Sequence, residues 1–199
     1  MYNLFFMRFK ALVFVLMFVL AQATFAQTTA VTSKNVEGSI MASNKTAYDN
    51  LKFAPNFSTF IGLVDAAGLK SALTAQKPIT VLAPANKAFE DLPVGVLDTL
   101  RKPENKVALI NYVKSYIIQG KYTSADLARQ IKTGNGQAKL TTIAPTTLLA
   151  KVNANRNVTL TDAFGLQTII SRYDILASNA VLHTLTAALS VSLPIPLNK

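Results

Sequence analysis

A chain of 199 residues, half of them hydrophobic and none of them cysteine, has no disulfide framework and no lipid-bearing cysteine to tether it. One histidine and ten scattered carboxylates give no cluster at metal-ligand spacing, so neither a metal nor a cofactor is expected. The formal charge of +10 favours anionic partners through long-range attraction. The bases are nevertheless dispersed: the densest group, Arg101, Lys102 and Lys106, is interrupted by Glu104, and no basic run or stacking-aromatic motif marks a nucleic-acid site.

Arg8 and Lys10 precede an unbroken apolar run over residues 11 to 21, which ends in the small-residue stretch Thr24-Phe25-Ala26. That three-part pattern reads as a secretory signal peptide, residues 1 to 26, cleaved after Ala26. The run falls short of the ~20 residues a membrane-spanning helix needs, so no transmembrane segment is expected after cleavage. Two of the ten net charges leave with Arg8 and Lys10, which gives a mature chain of +8. Residues 27 to 199 then suit one domain large enough to bury about 70% of its unfolded surface.

Residues 27 to 42, QTTAVTSKNVEGSIMA, are Thr/Ser-rich with little apolar periodicity and read as a flexible leader, with the fold beginning near Ser43. Phe57, Phe60, Ile61 and Val64 follow helical spacing, with Asn56 or Ser58 as the cap and Gly68 as the stop. A short helical turn over residues 69 to 73 leads into a strand, residues 79 to 83, which Pro84 ends because it cannot donate to a ladder. Asn86 is placed to cap a helix carrying Ala88, Phe89 and Leu92. Further helices start at Val96 and at Pro103, and SYIIQGKYT reads as a strand before a helix capped at Thr123. From there QAKLTTI, TLLAKV, NVTLT, LQTIIS and AVLHTL are strand-like runs separated by turn signals; Gly134-Asn135-Gly136 reads as a hairpin turn with positive φ. Helices first and strands afterwards predict an α+β domain with a largely antiparallel sheet.

TVLAPANKAFEDLP, from Thr80, resembles the first signature of the fasciclin (FAS1) family, with Thr80, Pro84, Asn86 and Phe89 at matching positions. ASNAVLHTLTAAL, from Ala177, is similar to the second, through Ser178, Asn179 and His183. QGKYTSADL, with Gly120 and Tyr122, and the pair Asp174-Ile175 match between them. The resemblance covers residues 43 to 195, leaving 196 to 199 as a tail. It implies the FAS1 fold, a wedge-like antiparallel β-sandwich flanked by several short helices, and a role in adhesion. Many members carry a Tyr-His pair associated with receptor adhesion where this chain has Ser115 and Tyr116, and Ala180 and Ala187 replace a usual Gly and Asp.

His183 has no nucleophile and no nearby acid in sequence, Asp174 lying nine residues back, so hydrogen bonding to backbone is expected of it and catalysis is not. Thr80, Asn86, Ser178 and Asn179 are expected to satisfy backbone groups at strand ends, with the two signatures side by side. Three Asn-x-Ser/Thr patterns, at Asn44, Asn56 and Asn157, matter only in a host with an endoplasmic reticulum, and none is expected to be modified. Two functions follow: a secreted or periplasmic, non-enzymatic adhesion module for cell-surface or extracellular macromolecules, anionic polysaccharide among them, or a periplasmic carrier of a small apolar or lipid-like ligand.

Overall fold

Two apolar hexapeptides, ITVLAP and AVLHTL, organise the molecule. In the computed structural model, which describes residues 30 to 193, they form β3 (Ile79–Pro84) and β9 (Ala180–Leu185). These pair in parallel from Ile79 opposite Ala180 to Pro84 opposite Leu185, so the two signature segments do lie side by side. Every residue of both strands is buried, which is why they lack the apolar-polar alternation of a half-exposed strand. The predicted signal peptide and the tail from residue 196 lie outside the described residues; the folded unit begins at Val31.

Around that pair, β4 (Ile117–Gln119), β8 (Gln167–Leu176), β7 (Val158–Thr161), β6 (Thr147–Val152) and β5 (Gln137–Thr141) complete a seven-stranded sheet in the order β4-β3-β9-β8-β7-β6-β5. Apart from β3 with β9, these pairings are antiparallel. The two ends of the order meet: Ile118 bridges Thr142, and the Ile143 amide donates to the Ile117 carbonyl at 2.8 Å. The sheet thus folds back on itself around one apolar core, which leaves few unpaired edge groups. Outer strands such as β5 alternate exposed and buried residues, as a sheet with one solvated face must.

Six short α-helices accompany the sheet: α1 (Ala47–Lys52), α2 (Ser58–Ala67), α3 (Lys70–Thr74), α4 (Val96–Arg101), α5 (Lys106–Lys114) and α6 (Ser124–Thr133), counted among the described residues. α2 buries Phe60, Ile61, Leu63 and Val64, and stops at Gly68, whose φ of 74° a side chain would strain. α6 opens with a reciprocal capping box between Thr123 and Asp126.

Three sequence expectations need correction. The supposed flexible leader contains a hairpin, β1 (Ser33–Val36) and β2 (Ser39–Ala42), turning through Glu37 and Gly38, both with positive φ. Each four-residue strand sends only one large apolar side chain inward, Val36 and Met41, too few to show a period in sequence. Gly134-Asn135-Gly136 does use positive φ, at Asn135 and Gly136, but it joins α6 to β5 and is no hairpin. Finally, neither Asn56 nor Ser58 caps α2; that role falls to a residue far along the chain.

Candidate functional site

Polar side chains in strands buried on both faces must find partners inside the protein. Thr80 donates its hydroxyl to the Gly120 carbonyl and accepts the Tyr122 amide, each at 2.8 Å. Gly120 makes that approach possible with a φ of 93°; a Cβ there would stand 3.3 Å from the Tyr122 ring. His183, wholly buried, sets Nε2 2.8 Å from the Tyr122 carbonyl and Nδ1 3.3 Å from the Asp174 amide. A carbonyl only accepts and an amide only donates, so the ring is neutral with its proton on Nε2. Burial holds its pKa below the ordinary 6.5, against the opposing pull of the Tyr122 carbonyl and the Asp174 charge.

Asp174 sits at an irregularity where β8 gains a residue against β9 between Arg172 and Ile175, with φ at 55°. Its carboxylate accepts the Ser124 amide at 2.7 Å and the Ser124 hydroxyl, at the first turn of α6. Serine, aspartate and histidine thus occur together, but in the wrong order for acyl transfer. The serine hydroxyl faces the acid rather than the imidazole, and Nε2, which would have to take its proton, is spent on a carbonyl. The chemistry available here is the tying of β3, β8, β9 and α6 to one another.

Asn86 and Asn179 act as the matching clamps of the two signatures. Asn86 Oδ1 accepts the Thr59 amide at 3.0 Å while Nδ2 donates to the Pro55 carbonyl and the Ser58 hydroxyl, so it caps α2 rather than its own 3-10 turn, Asn86–Phe89. Asn179 Oδ1 accepts the Ala47 amide at 3.0 Å, and Nδ2 donates to the carbonyls of Leu73 and Ala75, both at 2.9 Å. Phe89 is buried in the core and Pro84 is the last paired residue of β3. Ser178 departs from expectation: it is exposed, and its contacts run through backbone, its amide donating to the Lys45 carbonyl and its carbonyl accepting Lys121 Nζ.

A second feature had no local signal. A cleft of about 390 Å³ lies between α5, the start of β6, the β7–β8 turn and residues 189 to 192. Tyr112 lies on its floor and donates to the Leu189 carbonyl; the Tyr116 hydroxyl donates to Tyr112 and accepts the Leu189 amide, the last two at 2.8 Å. Asp162 Oδ2 accepts the Ser190 amide at 2.8 Å from the opposite wall. Of the two residues at the positions of the expected Tyr-His pair, Ser115 is half-buried on the cleft wall and donates to the Tyr112 carbonyl, and Tyr116 is fully buried.

The Fasciclin domain family model matches residues 55–191. The chain belongs to the fasciclin family. Among fasciclin relatives, Protein sll1483 of Synechocystis is 34% identical over 83% of this chain and 82% of its own length. The pig transforming growth factor-beta-induced protein ig-h3 is 26% identical over 72% of this chain, a match spanning 19% of that much longer protein. A FAS1 domain pair from the insect cell adhesion molecule Fasciclin I superposes with a TM-score of 0.63 over 73% of this chain and 51% of its own, at 16% identity, which establishes the shared FAS1 fold.

Proposed function

We propose that this protein is an exported fasciclin module that binds a cell-surface or extracellular macromolecule through its surface and performs no chemistry. The observation that carries this reading is the fate of the signature polar groups. Thr80, Asn86, Asp174, Asn179 and His183 all spend their side chains on partners within the chain, mostly backbone groups, so the family pattern serves the fold. Recognition is left to residues outside the signatures. Similarity to a domain pair from a cell adhesion molecule supports the adhesive class, and the signal-peptide pattern read in residues 1 to 26 supports export to a periplasm or beyond. Among the described residues no helix is long and apolar enough to cross a membrane.

The carrier reading draws on the cleft, whose volume lies in the range of small-ligand sites. Its rim carries Asn111, Thr147 and Ser190, however, and an apolar guest would strip these of water without replacing their hydrogen bonds. The test is capture of envelope components and extracellular polymer by the exported protein at low and high salt. Macromolecular capture supports the module; recovery of a small lipid alone overturns it. Loss of capture at high salt would place the basic surface, net +8 after leader removal, at the contact.

A further inference from the structure

The cleft has a charge character opposite to that of the chain around it. Among the described residues no lysine or arginine lines it, although the chain is net +10, and two carboxylates, Glu104 and Asp162, do. An anionic ligand would meet negative charge there, with no counter-charge from the described residues that line it. A cationic ligand is disfavoured for another reason. Asp162 already accepts the amides of Phe164, Leu166 and Ser190, and the basic chain repels positive charge at long range.

Besides its two carboxylates, the cleft offers neutral hydrogen-bonding groups beside an aromatic side chain. Asn111, Thr147 and Ser190 line it, and among the described residues their side chains make no hydrogen bond to the chain. Phe164, 66% exposed, stands on its rim at the tip of the β7–β8 turn. That tip is fixed: Asp162 Oδ1 accepts the Phe164 amide at 2.9 Å and the Leu166 amide at 3.0 Å, and the Asp162 amide donates to the Leu166 carbonyl. Val107, 71% exposed, adds apolar surface from α5. The walls are pre-set by the Tyr112–Tyr116–Leu189 bonds and the Asp162–Ser190 bond, so little ordering is required on binding.

We propose that this cleft binds a sugar unit of a neutral glycan. A pyranose presents C–H groups on its faces, which suit the electron-rich face of Phe164, and hydroxyls at its edge, which suit amide and hydroxyl partners. Neither an alkyl chain nor a uronate has both features without charge. The proposal rests on the reading that the protein binds an extracellular macromolecule and names the chemistry of that partner; free oligosaccharides and intact polymer share this chemistry, and the experiment separates them.

Isotope-labelled exported protein is titrated with cellohexaose, xylohexaose and maltohexaose, and in parallel with hexagalacturonate and decanoate, while backbone amide shifts are followed by NMR. At least one neutral oligosaccharide moves the amides of Asn111, Phe164 and Ser190, and the two anions do not. Phe164→Ala and Asn111→Ala each weaken binding about tenfold with the melting temperature unchanged, both being surface residues. Silence at these amides with every neutral probe at millimolar concentration overturns the proposal, as does decanoate or hexagalacturonate in the cleft. Polymer capture separates the two readings. If the protein captures polymer and Phe164→Ala captures it equally well, the cleft proposal fails and the adhesion reading stands. If a hexaose binds the cleft but no macromolecule is captured, the reverse holds.

Discussion

His183 and Asp174 meet across the β8–β9 irregularity, with the imidazole Nδ1 accepting the aspartate's backbone amide at 3.3 Å. A protonated ring would have a donor facing that donor, and Lys34, whose Nζ reaches the Tyr173 carbonyl, adds like charge nearby while the Asp174 carboxylate opposes it. Burial, the largest cause, depresses the folded pKa below 6.5, so the unfolded chain takes up a proton first as pH falls. The contribution of neutral His183 is fully present above pH 6.5 and declines below it, until the folded ring itself titrates. The slope cannot exceed about 1.4 kcal/mol per pH unit for one proton. Thermal melts from pH 8 to pH 5 should show this decline, and the imidazole NMR signal, unambiguous in a chain with one histidine, should titrate below 6.5. A ring titrating at or above 6.5 would refute the assignment.

Asn179→Ala removes three hydrogen bonds at once and leaves the Ala47 amide and the Leu73 and Ala75 carbonyls to find other partners. At about 1 to 3 kcal/mol for a buried group left unsatisfied, the loss is about 2 to 4 kcal/mol, since part of the site can admit water. Asn86→Ala, at a less buried clamp, should cost about 1 kcal/mol, the usual loss at a helix cap. Chemical denaturation of the two variants should preserve that order. Full stability of Asn179→Ala would remove the structural account of the second signature.

These two asparagines also mark where sequence reading stops. The bounds of β6 and β9 and the core face of α2 were legible because period and breakers are local. The side-by-side packing is expected because both polar signatures flank apolar strands, and the β3–β9 ladder meets it. Asn86, by contrast, reads as the cap of its own following turn, because a side chain's reach across 27 residues to Thr59 leaves no trace in local spacing. Ser178 sits where a side-chain cap was expected, yet its backbone makes the contacts. The cleft is assembled from four separate segments, and no one of them carries a motif.

The hairpin of β1 and β2 gives a third test. Val36 and Met41 are buried in the same core as α1 and β9, and the Lys34 ammonium is bonded to the Tyr173 carbonyl on β8. A chain starting at Ser43 should therefore be clearly less stable than one starting at Gln27, although both retain the residues of the family match. Met41→Ala alone should cost about 2 to 5 kcal/mol, as for other buried large-to-small changes. Equal melting temperatures for the two chains would restore the hairpin to the status of a leader.

Tyr116 supplies the last test, because its hydroxyl closes a small ring of bonds beneath the cleft. It donates to Tyr112 Oη, which donates to the Leu189 carbonyl, and it accepts the Leu189 amide in return. Burial pushes its pKa well above 10, so the ring of bonds persists into alkaline solution. Tyr116→Phe keeps the edge-on packing against Phe60, with ring centroids 5.3 Å apart, but strands the Leu189 amide. The expected cost is about 1 to 3 kcal/mol. The distinguishing readout is local: amide hydrogen exchange at Leu189 should accelerate more than at Ala83 or Leu182 in the paired strands β3 and β9. Uniform acceleration across all three would mean that Tyr116 supports the core at large and leaves the cleft wall to other contacts.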